Sequence, residues 1–265
     1  MTLPRHEGLD AILADPAGAV IGLDFDGTLS PIVPDPAAAH VHPEAPGVLA
    51  DLAGRLGAVA IVTGRPPLTA LALGATAGGP SLEDVPGLVI LGHYGLERWE
   101  DGRISAPPPP PGLDLVRARL QEIARSLDGV VVEDKGRAVA VHTRRAPDPA
   151  AALEALREPV AALAAEAGLA VEPGRMVLEL RPPGMDKGKA LSSFLAEREA
   201  RSVMFVGDDL GDLAAFDAVD RAGIPGVRVC SGSAEVTALA ERADVVVDGP
   251  DGVVAFLREV RAALD

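Results

Sequence analysis

Ala19-Val20-Ile21-Gly22-Leu23-Asp24-Phe25-Asp26-Gly27-Thr28-Leu29 runs from an apolar stretch of strand character straight into two aspartates, a glycine and a threonine. Side chains two apart on an extended segment point the same way, so Asp24 and Asp26 can face one pocket just beyond the strand's carboxyl end. That places a nucleophile beside a proton shuttle. One carboxylate can attack phosphorus to form an aspartyl-phosphate, while the other protonates the leaving alcohol and later activates water. Gly27 lets the chain turn sharply, so that backbone N–H groups at Gly27 and Thr28 can approach a phosphate.

The hexapeptide from Asp24 to Leu29 resembles the signature of the haloacid dehalogenase-like phosphatases, and the resemblance implies three further motifs. All occur in order. The apolar run 59–62 ends in Thr63-Gly64-Arg65, similar to the motif whose hydroxyl bonds the transferring phosphoryl group, with Gly64 and Arg65 beside the substrate. Lys187-Gly188 opens a helical pattern and resembles the motif whose lysine offsets charge on nucleophile and phosphate. The run 202–206 leads into Gly207-Asp208-Asp209-Leu210-Gly211-Asp212, similar to the acidic metal motif. Three of the four follow a strand-like run, as expected where an open α/β sheet binds ligands beyond its strands' carboxyl ends.

The metal implied is a hard one. Asp24, Asp208 and the Asp26 backbone carbonyl offer oxygen ligands that suit Mg²⁺ completed by phosphate and waters. Asp209 and Asp212 orient that inner shell or join it. Zinc is disfavoured, because Cys230 is the single cysteine and His6, His40, His42, His93 and His142 are scattered. Lysine is rare, found at positions 135, 187 and 189 alone, so Lys187 and Lys135 stand out where an ammonium is not equivalent to a guanidinium.

A chain of 265 residues with net charge −15 can bury a sizeable core and is a poor partner for nucleic acid or an anionic membrane. Residues 1–10 lack the apolar core of a signal peptide, no run reaches membrane-spanning length, and one cysteine excludes an intrachain disulfide. A cytoplasmic monomer is the expectation.

Strand-like and helical stretches alternate from 19 to 91 and resume after 184, the rhythm of a parallel sheet covered by helices. Five prolines at 107–111 interrupt it and read as a stiff connector. Residues 113–181 then follow the order helix, two strands, helix, two strands. The expected fold class is therefore α/β: a Rossmann-like core over residues 1–106 and 184–265, and an inserted α+β cap over 107–183 with an antiparallel sheet. The two connectors would flank hinges.

Within the superfamily the chain is similar to the trehalose-6-phosphate phosphatases, from about residue 20 to residue 247. The segments that carry this are Leu91-Gly92-His93-Tyr94-Gly95-Leu96-Glu97, Val132-Glu133-Asp134-Lys135-Gly136, Val141-His142-Thr143-Arg144, and Met176-Val177-Leu178-Glu179-Leu180-Arg181-Pro182. The resemblance implies Mg²⁺-dependent hydrolysis of a small-molecule sugar phosphate, trehalose 6-phosphate, with Asp24, Asp26, Thr63 and Lys187 catalytic and Glu133, Lys135, Arg144 and Glu179 on the sugar. Charged and amide groups suit that task, because directional hydrogen bonds distinguish hydroxyls. Gly211 and Thr143 depart from the family's usual Thr and Tyr, whereas Thr63 for Ser keeps the hydroxyl. The alternatives are another capped sugar phosphatase, acting on sucrose 6-phosphate or a glycosyl-phosphoglycerate, and a non-catalytic sugar-phosphate sensor. A sensor would be expected to have lost the nucleophile or a metal ligand.

Overall fold

The computed structural model describes residues 3–76, 78–174, 176–232 and 237–265. Along the chain run α1 (Glu7–Ala14), β1 (Ala19–Leu23), α2 (Ala45–Ala53), β2 (Ala58–Val62), α3 (Pro67–Leu73), β3 (Val89–Gly92), β4 (Glu97–Glu100) and β5 (Arg103–Ser105). Next come α4 (Leu113–Arg125), β6 (Val131–Asp134), β7 (Val139–His142), α5 (Pro149–Ala167), β8 (Ala170–Gly174) and β9 (Val177–Arg181). The chain closes with α6 (Lys187–Glu197), β10 (Ser202–Gly207), α7 (Leu213–Arg221), β11 (Gly226–Gly232), α8 (Thr237–Arg242), β12 (Val245–Asp248) and α9 (Gly249–Ala263). Two compact units result, one of residues 1–106 with 186–265 and one of residues 107–185. No helix among the described residues is long and apolar enough to cross a membrane.

The larger unit is built on a sheet of order β12-β11-β10-β1-β2-β3-β4-β5, parallel from β12 to β3. β1, β2 and β10 are buried at every position, which is why they read as unbroken apolar runs instead of alternating ones. Ile21 and Leu23 pack to one side with Leu9 of α1, Leu49 of α2 and Phe256 of α9. Val20 and Phe205 pack to the other with Leu191 and Phe194 of α6 and Phe216 of α7.

β4 and β5 extend this sheet as an antiparallel hairpin that the apolar-run reading did not anticipate. Glu97–Glu100 buries only Trp99 and Arg103–Ser105 is exposed throughout, so an edge hairpin carries no apolar run. Its turn is Asp101-Gly102, both residues at positive φ (49° and 73°), the conformation of the tightest hairpin connections.

The smaller unit is a four-stranded antiparallel sheet of order β6-β7-β9-β8. Val139 and Val141 of β7 and Leu178 and Leu180 of β9 face α4 and α5, packing with Val116, Leu120, Leu156 and Val160. Alternation sends Ala140 and Glu179 to the opposite face, where the register aligns Glu133, Ala140, Glu179 and Glu172 across all four strands.

Candidate active site

β10, β1 and β2 are neighbours, so their parallel carboxyl ends deliver Asp208, Asp24 and Thr63 to one edge of the sheet. Lys187 arrives from a helix start. Asp186 caps α6 by accepting from the Lys189 N–H at 2.8 Å, which seats Lys187 at the first helical position. Its Nζ lies 2.9 Å from Asp24 Oδ1 and donates to Asp212 Oδ1 at 2.8 Å, and all three residues are buried. The second Asp212 oxygen accepts from the backbone N–H groups of Asp208 (2.9 Å) and Asp209 (3.2 Å), so Asp212 shapes the acidic loop from inside. Asp209 is exposed and caps the following turn through Gly211 N.

Asp24, Asp208 and Asp212 each present an oxygen within 4.8 Å of the others. Three carboxylates against one ammonium would leave two negative charges in a buried space if all were ionised. The local electrostatics register that excess. Burial, reinforced by Asp212 and Asp209, pushes the Asp208 carboxyl up to about 8. Burial likewise raises Asp24 and Asp212, against the pull of Lys187. It also works against the Lys187 charge, but Asp212 and Asp24 outweigh it and hold the ammonium well above its usual range. An oxygen-only donor set short of positive charge fits a small hard dication.

Gly27 closes the other wall. Its φ is +71°, and a Cβ there would lie 2.0 Å from Asp208 Oδ2. The Gly27 carbonyl accepts from Ser231 Oγ at 2.6 Å, tying the turn to β11. Gly27→Ala is therefore expected to destabilise the protein by about 1–3 kcal/mol through backbone strain and to displace Asp208. Thermal melts and Mg²⁺ titration check this, and an unchanged melt with unchanged metal affinity would contradict it.

Thr63 and Thr28 are both buried. Thr28 Oγ1 has no hydrogen-bond partner among the described residues, and Thr63 Oγ1 accepts from Arg65 N at 3.1 Å. Arg65, expected on the substrate, is engaged with Asp26. Nε donates to Oδ2 at 2.7 Å and Nη2 to Oδ1 at 2.6 Å. Its guanidinium carbon also stands 5.6 Å from the Phe25 ring centroid.

A turn after β3 fastens this loop, and nothing in the composition marked it. His93, Tyr94 and Gly95 adopt φ of 47°, 57° and 92°. The Tyr94 N–H donates to Thr63 O at 3.0 Å and the His93 N–H to Arg65 O at 3.1 Å. His93 is buried, with Nδ1 3.3 Å from Glu97, a structural placement.

In the smaller unit, Lys135 Nζ, from the β6–β7 turn, meets Glu179 Oε2 of β9 in a short ion pair. Glu179 is 5% exposed, yet its Oε1 has no hydrogen-bond partner among the described residues. Glu133 lies two positions along the same aligned row, with His142 Nε2 2.8 Å from its Oε2. Arg181, not singled out from sequence, is buried on that face and donates to Glu172 at 2.5 Å. Arg144 is exposed, past the end of β7 remote from Lys135.

Comparison with known proteins places these residues in context. The family model described as Trehalose-phosphatase matches residues 22–247. A probable trehalose-phosphate phosphatase of Sinorhizobium fredii is 36% identical over 225 residues, covering 83% of this chain and 81% of the relative. An uncharacterized glycosyl hydrolase of Mycobacterium tuberculosis is 38% identical over 216 residues, covering 76% of this chain but only 15% of that much longer protein. The structure of the C-terminal domain of C. albicans trehalose-6-phosphate phosphatase superposes with a TM-score of 0.76 at 20% identity, covering 98% of this chain and 97% of that one, a likeness of fold.

Proposed function

Because the chain belongs to the trehalose-phosphatase family, we propose that it hydrolyses trehalose 6-phosphate to trehalose and phosphate, with Mg²⁺ held by Asp24, Asp208 and the Asp26 carbonyl. The observation that carries the chemistry is the buried knot of Lys187, Asp24 and Asp212 beside Asp208. Bound there, the metal would supply positive charge to the phosphoryl oxygens.

Asp24 attacks phosphorus as the bond to the sugar oxygen breaks, and Asp26 gives that oxygen its proton. Lys187 offsets charge on Asp24 and the equatorial oxygens, joined by the Thr63 hydroxyl and the N–H groups following Asp26. In the second half-reaction Asp26 takes a proton from water, whose oxygen attacks the aspartyl-phosphate and returns Asp24 to a carboxylate.

The sugar is assigned to the face of the smaller sheet opposite its helices, to Glu133, Lys135 and Glu179, with Arg144 as a peripheral contact. What supports this is Glu179, a buried carboxylate with one oxygen on Lys135 and the other lacking a partner, an acceptor suited to a hydroxyl. The test is phosphate release from a panel of sugar phosphates, with and without Mg²⁺, for wild type and for Lys135→Ala and Glu179→Ala. Each variant is expected to lose roughly ten- to a thousandfold in kcat/KM on trehalose 6-phosphate and little on nitrophenyl phosphate, which has no sugar. Equal losses on both substrates would make these residues supports of the fold, and a preference for sucrose 6-phosphate would move the enzyme to a neighbouring specificity.

A further inference from the structure

Asp26 has two tasks in the reading above and, in this structure, each of its carboxylate oxygens is engaged by Arg65. Both carboxylate oxygens accept from Arg65, one from Nε and one from Nη2, in the fork geometry that makes Arg–carboxylate pairs strong and directional. Arg65 is in turn fixed from three sides. Phe25, fully buried between the two aspartates, presents its ring to the guanidinium. The Arg65 N–H is tied to Thr63 Oγ1, and the Arg65 carbonyl accepts from His93 N in the left-handed turn after β3. Gly92 permits that approach, since a Cβ there would stand 2.7 Å from the Arg65 carbonyl oxygen.

We propose that Arg65 is a positioning residue for Asp26, not a ligand of the phosphoryl group: it holds the proton shuttle in a fixed, withdrawn rotamer from which Asp26 is released to the leaving oxygen. This rests on the assignment of Asp26 as general acid and base. A guanidinium has no acceptor and can only donate to the carboxyl that faces it. The first half-reaction needs the reverse, a carboxyl whose proton passes to the departing oxygen as the phosphorus–oxygen bond breaks and the bond to Asp24 forms. Asp26 therefore leaves the fork to act as an acid. Between the two half-reactions, once its proton has gone to the sugar oxygen, Asp26 is a carboxylate, and the same fork can hold it in one orientation until it takes a proton from the attacking water. Loss of Arg65 leaves the phosphoryl group gripped and the shuttle unaimed.

Leaving-group dependence isolates that role. In Arg65→Gln, kcat on trehalose 6-phosphate, a poor leaving group, is expected to fall about 10- to 100-fold, while kcat on nitrophenyl phosphate changes less than about threefold. Inhibition by inorganic phosphate should be unchanged. Arg65→Lys keeps the charge without the fork and should show the same split, which covers the case in which the glutamine variant does not fold. Asp26→Asn in the Arg65→Lys background should cost no more on trehalose 6-phosphate than Asp26→Asn alone, because both act through one group. Weaker inhibition by phosphate together with equal losses on both substrates would make Arg65 a phosphate ligand and overturn the proposal, as would wild-type kinetics. An Asp26→Asn variant with no deficit on trehalose 6-phosphate would instead remove the acid–base assignment itself, a separate failure seen in a separate protein.

Discussion

Asp24→Asn is expected to abolish phosphate release, by on the order of 10⁴-fold or more, while the protein remains folded. An amide of nearly the same shape cannot attack phosphorus, and no other carboxylate stands in its place. Asp208 and Asp212 belong to the same cluster, but Asp212 is fully engaged by Lys187 and two backbone N–H groups. The fold should tolerate the change because Lys187 keeps Asp212 as a partner and the cluster loses one of its crowded carboxyls. Phosphate release at near the wild-type rate from a folded variant, followed by malachite-green assay on trehalose 6-phosphate, would end the covalent route.

The largest effect on stability should come from Lys187→Met. The side chain fits the space, but Asp24 and Asp212 then face each other in a buried site with no cation between them. Removing one partner of a buried ion pair costs about 3–5 kcal/mol, readable from urea denaturation in the presence of a chelator. Its pH dependence has a definite sign. A carboxyl whose folded pKa is raised stabilises fully below its unfolded value and loses that contribution as the pH rises through the folded value. For Asp208 the interval runs from 3.8 to about 8, so the metal-free protein should weaken across it. The lysine variant, with Asp24 and Asp212 raised further, should weaken more steeply. A variant that unfolds at the wild-type urea concentration throughout this range would show that the cluster is not held by Lys187.

The central strands were legible because burial on both faces forces an unbroken apolar run, and β1, β2 and β10 each end where a motif begins. The long helix of the smaller unit, placed by sequence between two pairs of strands, starts at the Asp148 cap and Pro149 and ends at the left-handed Gly168. The hairpin of β4 and β5 was not legible, since half-exposed edge strands leave only their Asp101-Gly102 turn as a signal. In the site, residue types predicted which groups would gather but not how they would pair. Asp212 reads from sequence as orienting or joining the inner shell, and nothing in the sequence marks the contact of one of its oxygens with Lys187. The pairing of Arg65 with Asp26 was not legible either, because it depends on a rotamer and on Phe25 and His93 beside the loop. The positive φ of His93 and Tyr94 is likewise set by tertiary contacts, and no local rule demands it of those residue types.

The start of α6 has a consequence for how such proteins diversify. Residue 186 both begins the return to the larger unit and caps the helix on which Lys187 sits. The seam between the two units therefore lies one residue from Lys187, which pairs with Asp24, and the residue that caps its helix lies on the core side of the seam. An ancestral gene could exchange the whole 107–185 cassette, altering its length and its sheet, without touching the residues that seat Lys187.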